Sequence, residues 1–242
     1  MASTRSSAVD RYGFRHDPEG RRRRARRIVA ALSDFGSLDV ATARLLDVGC
    51  SAGLIANELA QHAAFVAGVD IDAESLGFAT GEGGRAQFAQ ASGDRLPFAD
   101  RAFDAVVCNH VYEHVGDPHA LLAEIHRVLR PGGLCYFAAG HTLQLIEPHH
   151  RLPLLSLLPR GAASAWLRAT SRGDRYDERF LPPWKLRGLL SGFAAVDFIA
   201  PRMLRQPARY GFPGLARLPR AAHFAAGAAA RAAPTWIYLL RR

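Results

Sequence analysis

The sequence predicts an α/β fold in which a mostly parallel sheet carries helices on both faces. Two observations lead there. Between residues 43 and 140, short apolar runs alternate with stretches of helical periodicity, the rhythm of strand–helix–strand crossovers. The runs, "RLLDVG", "FVAGVD", "AQFAQA", "FDAVVCN" and "LCYFAAG", are almost continuously apolar, as strands buried on both faces are. A chain of 242 residues that is 49% hydrophobic is long enough for one such domain with a small appended cap.

Taken in order, residues 1–40 form a basic arm and a helix. The first 18 residues carry no periodicity and read as disordered or loosely docked. "EGRRRRARRIVAALSDF" then reads as a helix with a basic face and an apolar end at Ile28, Val29 and Leu32. Residues 41–140 are the alternating core, with helical patterns over 53–62, 73–80 and 117–129. "LRPGG" at 129–133 is expected to close the last of these helices before the next strand. Residues 141–183 lose the rhythm: they are rich in proline, hold one amphipathic cluster, and read as an insertion over the strand ends. In residues 184–242 it returns. "WKLRGLLSGF" suggests a helix, "AAVDFIA" a strand, 215–231 a helix and "TWIYLLRR" a last strand. No internal repeat is visible.

Charge and composition narrow the function classes. The formal net charge is +9, the pI is about 10.3, and Lys185 is the single lysine among 31 basic residues. Such a surface favours anionic partners: phosphorylated or carboxylated substrates, acidic lipid or RNA. Cys50, Cys108 and Cys135 fall in or beside predicted strands without CxxC spacing. They read as buried reduced thiols of a cytoplasmic protein, not as a disulfide framework or a zinc site. Arg21 to Arg27 are not followed by the apolar core of a signal peptide. The longest small-residue stretch, "HFAAGAAARAAPTWIYLL", is interrupted by Arg231 and Pro234, short of the roughly 20 apolar residues of a membrane helix.

The stretch "ARLLDVGCSAGLIANEL", residues 43–59, carries the chemistry. An apolar run ends in Asp47; Gly49 and Gly53 follow, and then a helix begins. The glycines permit a tight turn and close approach of a ligand to backbone. A dinucleotide fingerprint would need glycine at Ser51 and Leu54, and a phosphate-binding loop would need lysine and a hydroxyl where Leu54 and Ile55 stand. Instead, Asp70 in "GVDID" ends the second strand, where a carboxylate accepts from both ribose hydroxyls. Asp94 in "SGDRLPF" follows the third strand and is placed to accept from an adenine amino group. With Asp47 at the mouth, the site is anionic. That suits a nucleoside without phosphate but with a cationic amino-acid part, S-adenosylmethionine, and not NAD.

Together, "LLDVGCSAG", "GVDID", "GDRLPFADRAFDAVVCNHVYEHV" and "LRPGGLCYF" resemble class I S-adenosylmethionine-dependent methyltransferases of the small-molecule group, over about residues 43–140. The resemblance implies a Rossmann-like, seven-stranded sheet whose last strand, "TWIYLLRR", is antiparallel. It also implies roles. Asp47, Gly49, Cys50 and Gly53 line the methionine end. Asp70 binds ribose, with Ile71 against adenine. Asp94 edges adenine by its carboxylate and Arg95 by its main chain, and the Asn109 carbonyl meets the methionine amino group. Ser51 stands where the family often has glycine.

Methyl transfer needs alignment, and at a hydroxyl also a base near neutral pH, for which histidine is suited. In "NHVYEHVGDPH", His114 is the first candidate, with Glu113 beside it and His110 second; histidines occupy this stretch in resembling sugar O-methyltransferases. At i, i+3 and i+4, His110, Glu113 and His114 would share one helical face. Some resembling enzymes carry Glu-x-x-Glu-His here and bind a divalent ion, to which His141, His149 or His150 would add a ligand. His110 replaces the first glutamate of that motif, and no metal ligand is assigned.

In the insertion, Arg151 and Arg160 flank Leu152, Leu154, Leu155, Leu157 and Leu158. The cluster reads as acceptor wall, as weak contact with an anionic membrane surface, or as packing within the cap. Tyr176, Asp177 and Arg179 face either acceptor or solvent. The expected activity is methylation, at oxygen, of a small molecule, sugar or lipid-linked glycan. The rivals are an RNA methyltransferase and a silent cofactor-binding module. The first is disfavoured because "NHVY" lacks the Pro-Pro of base N-methylases, Cys108 lies inside a strand, and no aromatic-basic RNA module is visible. The oligomeric state stays open.

Overall fold

The computed structural model describes residues 17–242 apart from Glu82 and Pro148. Most of the predicted N-terminal arm therefore lies outside the described residues. Helix α1 (Pro18–Gly36) starts where the Asp17 side chain accepts from the Gly20 N–H and proline takes the first turn. It stops at Ser37 in the left-handed conformation. Ala25, Ile28, Ala31 and Leu32 form its buried stripe, successive members three or four residues apart or adjacent on one helical face.

The core then runs β1 (Arg44–Val48), α2 (Leu54–Leu59), β2 (Phe65–Asp70), α3 (Ala73–Gly81), β3 (Gln87–Gln90), β4 (Phe103–Asn109), α4 (Pro118–Val128) and β5 (Leu129–Gly140). The cap carries α5 (Arg160–Ala169). The C-terminal part adds α6 (Pro183–Leu189), β6 (Ala195–Phe198), α7 (Ala200–Arg205), α8 (Pro213–Ala216), α9 (Arg220–Ala228) and β7 (Thr235–Arg241). The seven strands lie in the order β3-β2-β1-β4-β5-β7-β6. β7 is antiparallel to both neighbours and the other pairings are parallel, as the resemblance implied.

Adjacent residues of β1 point to opposite faces. Leu45 packs with Ile28, Leu32 and Tyr136 on one side; Leu46 packs with Ile125, Phe137 and Leu186 on the other. Both faces are therefore core, which is why the strand sequences are apolar throughout. The three cysteines are buried and free.

Two boundaries differ from the sequence reading. "LRPGG" does not close a helix: α4 ends at Val128, and β5 already begins at Leu129, which pairs with Phe103 across a register shift. The Pro131–Gly132 kink, with Gly132 at φ 74°, sits inside the strand entry. The expected helix over 215–231 is broken into α8 and α9 by Pro219, which precedes the first residue of α9. No described helix is long and apolar enough to cross a membrane.

Candidate functional site

Sheet register assembles the first half of the site. Val48 pairs with Val69 and with Cys108, so Gly49, Asp70 and Asn109 leave the sheet side by side at its carboxyl edge. Strand order reverses between β1 and β4 here, the place where open α/β sheets bind ligands. The loop after β1 is held by Gly49 and Cys50 N–H groups donating to the Val69 carbonyl at 2.8 and 3.0 Å, and by Gly53 N–H to Cys50 O at 2.9 Å. Gly49, Ser51 and Gly53 all have positive φ, 71°, 49° and 70°. The shape expected of a glycine at Ser51 is thus kept by a serine in the left-handed region. A Cβ on Gly49 would stand 2.6 Å from Val111, and one on Gly53 2.6 Å from Ala79 and Phe88.

Asp70 ties this loop to the next. Its carboxylate accepts from Ser51 N–H at 2.7 Å and Asp72 N–H at 2.9 Å, and lone pairs remain for hydroxyl donors. Ile71 beside it is 70% exposed, an apolar surface offered to a flat ring. Asp94 and Arg95 are exposed on the loop after β3. That loop is clamped by Glu124, which accepts from Leu96 N–H at 2.7 Å, and by Arg127, which donates to the Leu96 and Phe98 carbonyls. The Arg95 N–H already donates to Ser92 O at 3.0 Å, so a main-chain contact to adenine must share or exchange that bond.

Asp47 is buried, and its Oδ2 has no hydrogen-bond partner. Burial, then the neighbouring Asp70 charge, pushes its pKa up to about 7, while Arg21 opposes the shift. Arg21 was missed from sequence because it lies in a run of arginines. Helix α1 turns it toward Asp47, and burial followed by Arg24 lowers its pKa to about 10. A buried carboxylate short of a donor, with a guanidinium nearby, forms a paired acceptor and donor that fits an ammonium–carboxylate zwitterion.

The second half begins at the end of β4. The expected helix over 110–114 is not there: His110 is left-handed at φ 59° and residues 112–114 form a turn. Helix α4 starts only at Pro118, capped by Asp117. The turn, not a helical face, brings Glu113 back onto His110, whose Nδ1 lies 2.9 Å from Glu113 Oε1 and whose Nε2 lies 3.2 Å from Thr235 Oγ1. Glu113 is fully buried and its Oε2 has no hydrogen-bond partner. Burial would raise its pKa, but the hydrogen bond and charge of His110 bring it below the ordinary value. His114 is exposed, and desolvation by the protein around its ring lowers its pKa against the pull of Glu113.

The cap supplies the rest. Tyr112 Oη donates to Gly140 O at 2.7 Å and accepts from Leu181 N–H at 3.1 Å, and Arg179 N–H donates to Glu113 O at 2.9 Å. These bonds hold the returning segment 176–181 beside the turn. Two acids that the sequence reading passed over, Glu147 and Glu178, are buried there. Glu147 lies 2.7 Å from His149 Nδ1 and accepts from His150 N–H at 2.6 Å. Burial opposes charge on His149, but Glu147 raises its pKa overall. Glu178, 3.6 Å from His150, is held near pKa 2 by His150 and His149 despite burial. Their missing signal is positional: single acids in an irregular segment have no periodicity to betray them.

Among the described residues, Glu113, His114 and His149 place potential ligand atoms within 4.8 Å of one another. His110 is occupied by Glu113 and Thr235. His141 is buried against Trp236, with Nε2 2.9 Å from Ala233 O, and His150 sits against Glu178; neither joins that group. Tyr176 is buried, whereas Asp177 and Arg179 are exposed. The leucine cluster divides: Leu152 and Leu155 pack inside the cap with Leu167, while Leu154 and Leu157 stay 45% and 49% exposed. Two open depressions on the cap, of about 350 and 340 Å³, border Tyr176; neither is lined by the glycine loop.

Residues 46–137 match the model of a methyltransferase domain. A ubiquinone biosynthesis O-methyltransferase of Xanthomonas oryzae pv. oryzae is 30% identical over 186 residues, 67% of this chain and 77% of that protein. One from Xylella fastidiosa strain M23 is 27% identical over 214 residues, covering 76% and 84%. Among solved structures, an S-adenosylmethionine-dependent methyltransferase from Mesorhizobium loti superposes with a TM-score of 0.57 at 22% identity, over 89% of this chain and 100% of that one. The [4+2]-cyclase SpnF does so with a TM-score of 0.55 at 22% identity, over 90% and 80%. These two likenesses are of fold, and the second shows that the fold alone does not fix the reaction.

Proposed function

The chain belongs to the class I S-adenosylmethionine-dependent methyltransferases, and from that premise we propose that it methylates an oxygen of a small, largely apolar acceptor held beneath the cap. The observation that carries the reading is His114, set by the β4 turn against His149 of the cap, where desolvation lowers the pKa of its imidazole against the pull of Glu113. A neutral histidine there can take the acceptor's hydroxyl proton on a ring nitrogen. When bound, S-adenosylmethionine supplies a methyl carbon already activated on a sulfonium. What remains for the protein is alignment and proton removal. Asp70 and Asp47 hold the two ends of the cofactor, and Arg21 is placed for the methionine carboxylate. Gln144 is buried with both amide atoms unpartnered, a donor and an acceptor beside Gly140 at the end of β5.

The names of the relatives point to ubiquinone biosynthesis, and the cap's surface supports an apolar acceptor. Leu143, Leu145, Ile146, Leu154 and Leu157 are all exposed. They share one ribbon, closed by Leu154 N–H to Leu145 O at 2.8 Å and by the Ile146–Pro153 bridge. Arg151 and Arg160 border it. We propose that this face rests on an anionic membrane at the cytoplasmic side, where apolar burial and arginine attraction add.

The test is transfer of a labelled methyl group to phenols with progressively longer apolar tails, with bulk RNA as the rival acceptor. Phenol-ether products that improve with tail length support the reading, and label in RNA alone overturns it. For the surface, sedimentation with phosphatidylglycerol vesicles should fall several-fold in Leu154→Asp/Leu157→Asp. Equal sedimentation of variant and wild type removes the membrane contact.

A further inference from the structure

The connection between β3 and β4, residues 91–102, has no regular structure of its own, so its backbone polar groups must find partners elsewhere. Helix α4 supplies them. Glu124 and Arg127 stand three residues apart on one helical face. They form an end-on ion pair, Arg127 Nε to Glu124 Oε1 at 2.7 Å and Nη2 to Oε2 at 2.8 Å. The Arg127 hydrogen bond, more than any other influence, holds the Glu124 carboxyl below its ordinary range. Both partners also reach across to the loop. Glu124 Oε2 accepts from Leu96 N–H at 2.7 Å. Arg127 Nη2 donates to Leu96 O at 3.1 Å, and its Nη1 donates to Phe98 O at 2.8 Å and to Asp100 Oδ1 at 2.7 Å. The Arg127 carbonyl takes the Arg101 N–H at 3.0 Å. One turn earlier on the same helix, Leu121 meets the loop from the other side: a Cβ on Gly93 would stand 2.8 Å from its Cδ1. Asp94 itself is exposed. Its place follows from Gly93 before it and Leu96 after it, and α4 fixes both.

We propose that Glu124 and Arg127 are positioning residues for base recognition: through the 91–102 loop they hold the Asp94 carboxylate where it accepts from the 6-amino group of the cofactor's adenine. The inference rests on the assignment of Asp94 to the adenine edge within the methyltransferase reading. A carboxylate accepts from an amino group but repels an oxygen put in its place. Selection between a 6-amino and a 6-oxo purine therefore depends on where the carboxylate is held. A loop free to shift by about an ångström loses the bond to the amino group and relieves the repulsion of the oxo group alike. Neither Glu124 nor Arg127 needs to touch the cofactor for this; both act through Leu96, Phe98 and the backbone of the loop.

The experiment measures, by calorimetry on the full chain, the affinities of S-adenosylhomocysteine and of S-inosylhomocysteine, its 6-oxo counterpart, with each variant's fold checked by circular dichroism. The wild type should prefer the amino compound by at least about tenfold, the worth of a hydrogen bond to a charged group. Asp94→Ala should abolish that preference. Glu124→Ala and Arg127→Ala should each weaken S-adenosylhomocysteine by about tenfold while S-inosylhomocysteine changes by less than about threefold, so the loss falls on the amino compound alone. Glu124→Gln, which keeps an acceptor for the Leu96 N–H, should retain most of the preference, and this milder change also reports if Glu124→Ala does not fold. Equal losses for both compounds would make the pair a general prop of the loop and overturn the proposal. So would wild-type preference in Glu124→Ala and Arg127→Ala when Asp94→Ala has lost it. A wild type that binds both compounds alike, or an Asp94→Ala chain that keeps the preference, overturns the adenine assignment and this inference with it. Absence of any S-adenosylhomocysteine binding by the wild type would instead overturn the methyltransferase reading.

Discussion

The two halves of the site are built by opposite strategies. The cofactor half lies where neighbouring strands end together, and it is made of backbone and short side chains: Gly49, Gly53, Asp70, Ile71. Its geometry follows from sheet register, and each residue sits within a few positions of a strand end. The cap half is made of titratable side chains, Glu113, His114, Glu147, His149, His150 and Glu178, gathered from positions 113 to 178. Nothing periodic holds them. They are held by one another, by Tyr112 and by a few backbone bonds to the cap. The lesson is that a loop at strand ends is written into local backbone geometry, whereas a cluster gathered across the cap is written into long-range contacts.

This difference can be broken from either side. The largest effect should come from the backbone of the cofactor half. Gly49→Ala puts a Cβ at 2.6 Å from Val111 on a residue with φ 71° and should weaken S-adenosylhomocysteine binding by a hundredfold or more, about 2.7 kcal/mol or more. Calorimetry that finds wild-type affinity would show that the loop is not the cofactor cradle.

Next, the cap half should fail in chemistry alone. His114→Ala should lower turnover by about a hundredfold while cofactor affinity stays within twofold. A matching loss in His110→Ala with a silent His114→Ala would transfer the role of base to His110.

A smaller effect sharpens the comparison through pH. Asp47 has its pKa raised from the ordinary carboxylate range to about 7. Without cofactor, the folded state therefore takes up a proton that the unfolded chain releases, and stability falls as pH rises from about 4 to 7. A cationic ammonium demands the ionised form, so cofactor affinity should rise by up to about tenfold between pH 6 and 8, about half of the ionisation being complete at pH 7, and flatten above 8. In Asp47→Asn that slope should vanish, and an unchanged slope would place the titrating group elsewhere.

How much of this was legible follows from the same contrast. The five core strands, the antiparallel strand at 235–241 and the glycine–acid pattern were readable because burial on both faces and tight turns leave marks within ten residues. The α4–β5 boundary departs from the sequence expectation because proline and glycine, ordinarily helix punctuation, here kink the entry of a strand. The i, i+4 spacing of His110 and His114 suggested a helix, but a left-handed His110 and a turn produce the proximity. Arg21 was hidden among the arginines of α1, and only its charge interaction with Asp47 singles it out. Glu147 and Glu178 were invisible because their roles depend on contacts across the cap. The leucines of 152–158 were seen as one cluster, yet one set packs inward and the other faces out, which no alternation in the sequence announced.

The central claim, that the carboxyl edge of β1, β2 and β4 is an S-adenosylmethionine site, is tested most directly by calorimetry of the wild type and Asp70→Ala. The account predicts micromolar binding of S-adenosylmethionine or S-adenosylhomocysteine to the wild type, about −8 kcal/mol, with no competition by NAD. Removing the carboxylate that receives the ribose hydroxyls should weaken binding by at least about 1.5 kcal/mol. Undiminished affinity in Asp70→Ala, or displacement of the cofactor by NAD, would contradict it.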